Sequence, residues 1–205
     1  RCSVAINFRF IQRIASAAAT YGSILQVGDR LDTVFQKLQS LLVTRSVRTI
    51  LTAAVSGGSS STADINVLSL TISPDTTFAG ACYRITLNGT ITKPLSIGTT
   101  VNIWVKVGST KVAVLTFTPT AARTNTLFSV DFFITVRTIG ASGTVYVSGN
   151  GAWQQTATSQ LTAFRNGPVA TVDNTSNFLI TVGFNFSNSN ASNNLTAQTG
   201  IILQI

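Results

Sequence analysis

The sequence predicts a mainly β chain, an antiparallel two-sheet sandwich of jelly-roll type, preceded by a short helical, coiled-coil-like stalk. Three observations predict it. Apolar residues alternate with a period of two from residue 65 to residue 205, and no helical period appears after residue 62. A heptad-like seam precedes that region. Charged residues make up only 10% of the chain, against roughly 25% in ordinary soluble domains, so Thr, Ser and Asn supply its polarity, as they do on outward strand positions.

The stalk is read from "ILQVGDRLDTVFQKLQSLL". Ile24, Val27, Leu31, Val34, Leu38 and Leu41 recur at spacings of three and four, which keeps them on one side of an underwound helix. Leu at a with β-branched Val at d shifts the preference from parallel dimers towards three or four strands, and Phe35 and Leu42 widen the apolar face. Gly28 opposes this by about 1 kcal/mol per helix, and a helix this short is marginal in water. An amphipathic helix packed on its own domain is the competing reading. "VTRSVRTILTAAV" has β-branched residues at irregular spacing, so helix and strand both stay open there. "SGGSSSTAD", residues 56–64, has the composition of a flexible linker. The expected organisation is therefore 1–55 as N-terminal anchor and oligomerisation stalk, 56–64 as linker, and 65–205 as head.

Within the head, "INVLSLTI" and "ACYRITLNGTI" open the series. "VNIWVKV" sets Val101, Ile103, Val105 and Val107 against Asn102, Trp104 and Lys106, and "KVAVLTF" follows a Gly-Ser-Thr turn as the second arm of a hairpin. "LFSVDFFITVRT" places Phe128, Val130, Phe132, Ile134 and Val136 on one face; "GTVYVSGNGAW" adds a strand broken at Gly149 and Gly151. The closing pair sets Phe178, Ile180, Val182, Phe184 and Phe186 on one face. Leu195, Ala197, Ile201, Leu203 and Ile205 follow in matching phase, so the last strand is expected to lie inside a sheet. About eight strands with turn signals between them argue for a sandwich or jelly roll. Leu179, Trp104, Leu115, Phe117, Leu127 and Phe133 fall on outward positions, which calls either for burial between subunits or for ordinary surface scatter.

Composition also bounds the chemistry. Ten Arg and four Lys face six Asp, with no Glu and no His. Without His there is no common general base near neutral pH and no imidazole ligand for a metal. Cys2 and Cys82 lack metal-ligand spacing and are read as unrelated thiols. No enzyme, cofactor or small-molecule substrate is expected. Seven of the fourteen basic residues fall in the first 48 positions, but no basic run exceeds one residue and no aromatics interleave with them. A general solubility charge is therefore preferred and nucleic acid is not expected as a partner. Arg9 and Arg13 interrupt the first apolar stretch well short of the ~20 residues of a membrane span. "RFIQRIASAAA" imitates a targeting segment, a reading given less weight than the stalk. The first residues, "RCSV", leave room for a processed or partial product.

"FFITVRTIGASGTVYVSGNGAW" followed by "TVDNTSNFLITVGFNFSNSNASNNLTAQTGIILQI" resembles the C-terminal head of virion fibre or tail-associated proteins. The shared pattern is a strand of the form F-x-I-x-V-R-T-x-G, then G-T-V and a Gly-rich bend. A T-V-D-x-T element, an alternating strand, an Asn/Ser/Ala turn and a terminal strand complete it. The resemblance covers roughly residues 75–205. It implies a tumour-necrosis-factor-like jelly roll, trimeric, on a slender stalk. "QTATSQLTAFRNGPVA" departs from the pattern as an insertion, which puts the strand assignment there in doubt.

The remaining motifs weigh lightly. Five N-x-[S/T] triplets, at Asn88, Asn174, Asn185, Asn190 and Asn194, are what an Asn/Ser/Thr-rich chain produces by composition. Asp75, Asp131 and Asp173 make no dyad or calcium loop in sequence, and Asp173 reads as a turn former. "SGNGAWQQ" lacks the Lys and following helix of a phosphate cradle. Trp153 beside Gln154 and Gln155 could stack on a sugar ring or, the preferred reading, anchor a core or interface.

The expected function is that of a non-enzymatic virion fibre or spike, a homotrimer on the virion surface. Its head would contact a host glycan or receptor, and its N-terminal segment other virion proteins. Candidate contacts are the basic residues Lys106, Lys111, Arg123 and Arg165, with Trp153 and the loop residues Asn188 and Asn190. A jelly-roll capsid or decoration protein is the first alternative, and a secreted ligand of the complement or tumour-necrosis-factor type the second. The spaced basic residues count against a coat-protein arm, and the lack of a disulfide framework against the secreted ligand.

Overall fold

The computed structural model describes residues 47–58, 61–74, 77–93, 99–119, 121–154 and 160–205, with backbone alone at 47, 48, 160, 161 and 164–169. The chain divides into two units, Arg1–Arg45 and Ser46–Ile205. The predicted seam Ile24, Val27, Leu31, Val34, Leu38 and Leu41 lies outside the described residues.

Eleven strands are described: β1 (Val47–Ile50), β2 (Val55–Gly57), β3 (Ile65–Ile72), β4 (Cys82–Lys93), β5 (Val101–Val107) and β6 (Thr110–Phe117), then β7 (Arg123–Thr138), β8 (Gly143–Gln154), β9 (Gln160–Val172), β10 (Phe178–Phe186) and β11 (Asn194–Gln204). They form a seven-stranded sheet, β1-β11-β4-β7-β8-β9 with β2 also pairing β11, and a four-stranded sheet, β3-β10-β5-β6. Every registered pair is antiparallel. With the β8–β9 hairpin set aside, and β1 and β2 counted as one strand, the order is that of a chain wound as two Greek keys. The predicted class, a mainly β antiparallel sandwich, is what the residues build.

Alternation explains the core. Tyr83, Ile85, Leu87 and Ile91 of β4 sit opposite Ile134, Phe132, Val130 and Thr126 of β7, and the apolar members are at most 1% exposed. The four-stranded sheet contributes Val101, Ile103 and Val105, and from β10 Ile180, Val182, Phe184 and Phe186, all fully buried. One apolar cluster joins both sheets, and Phe117 of β6 meets Trp153 of β8 edge-to-face at 6.2 Å across the gap.

Several expectations change. "QLTAFRNGPVATV" is no irregular insertion: it is β9, paired along β8 at the sheet edge. Leu115 and Phe117 face inward, because they pair with Ile103 and Val101, and each is 1% exposed. Leu127 and Leu179 do point outward, 58% and 39% exposed. In β11 the register slips between Ala197 and Thr199. This bulge reverses the facing of everything after it. Ile202 takes the core position opposite Ile85, while Ile201 and Leu203 turn outward and Ile205 is 66% exposed. Within the predicted linker, Ser56 and Gly57 pair with Thr196 and Leu195. The β5–β6 hairpin turns at Gly108 (φ 61°), as its Gly-Ser-Thr signal predicts.

Candidate functional site

Because β4, β7, β8 and β11 put their apolar positions inward, their alternate residues form the outer face of the seven-stranded sheet. One row of this face can be traced through the registers: Thr199, Asn88, Ser129, Ala152 and Thr162, on five adjacent strands. At 4.7–4.9 Å between strands the row is about 19 Å long. Its central members are small, so it lies below the flanking side chains. A depression of about 350 Å³ lies over it, lined by Asn88, Gly89, Leu127, Phe128, Ser129, Ala152, Gln154 and Gln198. A second, of about 220 Å³, is lined by Ser129, Asn150, Gly151, Ala152 and Thr162. Sharing Ser129 and Ala152, the two form one trough running across the strands. Gly89 contributes backbone to its floor, and a Cβ there would overlap the Thr196 carbonyl and approach the Phe128 ring to 2.9 Å. The β11 bulge brings Gln198 into the lining.

None of the lining side chains ionises. Among the described side chains, the nearest charge on this face is Asp131, one row away opposite Thr86, and it is paired with Arg84. Asp131 Oδ1 accepts from Arg84 Nε at 3.1 Å and from Thr86 Oγ1 at 2.7 Å. The Arg84 guanidinium lies 5.6 Å over the Phe133 ring, which explains how that outward phenylalanine is half-covered. Arg137 covers Tyr146 in the same way at 5.1 Å. The trough can therefore offer amide and hydroxyl hydrogen bonds beside the apolar wall of Leu127. Among the described residues it holds no group that moves a proton near neutral pH.

The predicted contact residues do not gather there. Lys106 and Lys111 come together on the outer face of the four-stranded sheet, and both are engaged. Their Nζ atoms bond Asp64 Oδ2 and Oδ1 at 2.9 and 2.6 Å and lie 4.6 and 5.2 Å over Trp104. Burial alone would raise the Asp64 carboxyl, but hydrogen bonds and charge from Lys111 and Lys106 outweigh it and hold it below its ordinary value. Trp104, expected on an outward position, is on that face but fully buried, packed onto Gly183 beneath the two lysines.

Trp153 is no sugar platform. It is fully buried, with its indole N–H donating to Thr126 Oγ1 at 2.5 Å. Arg123 begins β7 opposite Lys93 and donates from Nη1 to the Ala122 carbonyl at 2.7 Å. Arg165 pairs with Gly149 along the backbone, and its side chain lies outside the described residues. The loop of Asn188 and Asn190 is knitted to itself: Asn193 Nδ2 donates to the Asn188 carbonyl at 3.0 Å and Ser192 N to Asn190 Oδ1 at 2.9 Å. Asp173 is the turn former expected, accepting from Thr175 N at 2.9 Å and Thr175 Oγ1 at 2.7 Å. Among the N-x-[S/T] triplets, Asn174 is 2% exposed, taking Gly140 N on Oδ1 and giving Nδ2 to the Thr138 carbonyl.

Ser129, Ala152, Thr162 and Gln198 are not singled out by the sequence, which marks Asn88 only as an N-x-[S/T] triplet and Gln154 only as a neighbour of Trp153. Their outward phase was readable, but which of them share a row depends on the pairing order of five strands.

Fold and site together define a β sandwich with an uncharged polar trough across the outer face of its larger sheet. No family model matches the chain, and neither does any curated protein. Among solved structures, the chain is similar to the CBM2 module of the evolved Dit of Lactobacillus casei BL23 phage J-1. The identity is 10% and the TM-score 0.34, over 78% of this chain and 96% of that one. It is also similar to a family 7 alginate lyase, A1-II′, at 9% identity and TM-score 0.35, over 74% and 79% of the two chains. The infectious bursal disease virus VP2 subviral particle matches at 11% identity and TM-score 0.25, over 75% of this chain and 39% of that one. At such TM-scores these likenesses carry no argument about the site.

Proposed function

We propose that the chain is a non-enzymatic virion attachment protein, a fibre or spike head that holds a host-surface glycan against the outer face of its seven-stranded sheet. The observation that carries this reading is the trough itself. It is long, shallow and rich in amide and hydroxyl groups, and none of its described lining residues is ionisable. Saccharides present hydroxyls in number, and a surface of this kind meets them with hydrogen bonds in both directions.

The second part of the reading is assembly. A homotrimer on the stalk seam of residues 24–41 would present three troughs at once, and weak saccharide contacts would add through effective concentration. Residues 1–45, outside the unit that contains the sandwich, would serve as the attachment to other virion proteins, with the head on the virion surface. Sedimentation of the full chain at micromolar concentration tests assembly: the expected mass is three times 21.6 kDa, and a monomer would overturn it. Binding to host cells before and after enzymatic stripping of surface glycans tests attachment. Loss of binding is expected, and unchanged binding would refute the glycan reading.

A further inference from the structure

The net charge of +8 and pI near 10.4 point at first to an anionic partner. The structure assigns a different one: the trough takes an uncharged linear saccharide, lying across the strands from Gln198 of β11 along Asn88–Ser129–Ala152–Thr162. This rests on the proposed glycan attachment and names its ligand class and direction.

Three observations lead there. First, no basic residue among the described side chains lines the trough. Asp131 of the adjacent row binds Arg84, which lies one row further on opposite Phe133, and Lys106 and Lys111 are held by Asp64 on the other sheet. An acidic sugar in the trough would lose water around each carboxylate or sulfate with no cation to replace it, and an unpaired charge is the costliest group to desolvate. Second, the lining supplies both donors and acceptors. Asn88 and Gln154 carry amides and Ser129 a hydroxyl, the pairing that neutral sugar hydroxyls require. Third, the floor is kept low by residues that cannot grow outward. Ala152 and Ser129 are the shared members of both depressions, and they are contiguous in register, so the groove is continuous across strands and interrupted along them. An extended chain fits that direction, with Leu127, 58% exposed, as the wall for a sugar's apolar face.

The test is affinity electrophoresis of the full chain through gels holding a neutral polysaccharide (dextran, mannan or a soluble glucan) or an acidic one (alginate or heparin), each at low and at high salt. Retardation by at least one neutral polymer is expected, changing less than twofold between 50 and 500 mM salt, because no counterion is released. Ala152→Phe, which fills the shared floor from the outer face, is expected to weaken it at least tenfold. Asn88→Ala, which removes no core contact, is expected to weaken it severalfold; near-native melting temperatures show that both variants are folded.

Retardation by acidic polymers alone, abolished by salt, would overturn the neutral-ligand assignment while leaving glycan attachment standing. So would neutral binding indifferent to Ala152→Phe and Asn88→Ala. Failure to bind any polysaccharide, together with cell binding that survives glycan stripping, would overturn both.

Discussion

Gly183 in β10 carries the sharpest consequence for stability. It pairs with Trp104, whose ring lies over it, so a methyl group at 183 would meet two ring carbons at 2.5 Å and overlap the Ile65 carbonyl of the neighbouring strand. Its φ is not in the left-handed region, so the requirement is for space rather than for backbone freedom. Neither obstacle yields easily: one is backbone within a sheet ladder, the other an indole held under two lysines. Overpacking of this kind costs about 1–3 kcal/mol, and the rigidity of both neighbours sets Gly183→Ala at the upper end, about 3 kcal/mol. For a folded unit of this size, about 2–4 °C per kcal/mol translates that into a melting temperature lower by about 6–12 °C. Calorimetry measures the drop, and Trp104 emission, recorded with Trp153 replaced by Phe in both proteins, should shift to the red as water reaches the displaced ring. An unchanged melting temperature with unchanged emission would refute the packing of Trp104 on Gly183.

Two further outcomes follow from contacts already described. Asp64→Asn removes the anion that Lys106 and Lys111 share. Because the folded carboxyl titrates below its ordinary 3.8, the stability it contributes is fully present above that value and lost as pH falls through the lower, folded one. Urea titrations should show a deficit of about 1 kcal/mol at pH 7 that disappears on acidification below that range; an equal deficit at every pH would refute the ionic origin. Trp153→Phe deletes the bond to Thr126 and part of the ring against Phe117. It should cost about 2 kcal/mol in urea unfolding and leave polysaccharide retardation unchanged, and altered retardation would place Trp153 in the binding surface after all.

How much of this was legible in the sequence depends on whether a feature is local. The alternation Phe128, Val130, Phe132, Ile134, Val136 names an inward face without help, and the five residues are indeed buried. The same rule failed in β11 because one unpaired residue near Gln198 reverses the phase, and nothing in "TAQTG" marks a bulge apart from its polarity. Trp104 was placed on the correct face and given the wrong exposure. Its burial comes from a glycine on β10 and from Lys111 and Asp64, which lie at distant positions in the chain. The trough was out of reach for the same reason. Asn88, Ser129, Ala152 and Thr162 are unremarkable residues until the pairing β4-β7-β8-β9 aligns them.

The edge where the seven-stranded sheet begins has a mechanical meaning. The long strand β11 is flanked there by two short pieces, β1 and β2, each joined by three registered pairs, with added bonds from Leu51 N to the Gly200 carbonyl at 2.8 Å and between the Ser56 and Thr196 hydroxyls at 2.7 Å. β11 is bound far more extensively to β4 on its other side. Tension applied before Val47 would therefore detach β1, then β2, freeing several residues while the ladder from β11 to β9 and the trough on it stay intact. Pulled from its N-terminal side, the sandwich would give slack at this edge before it gave up its shape.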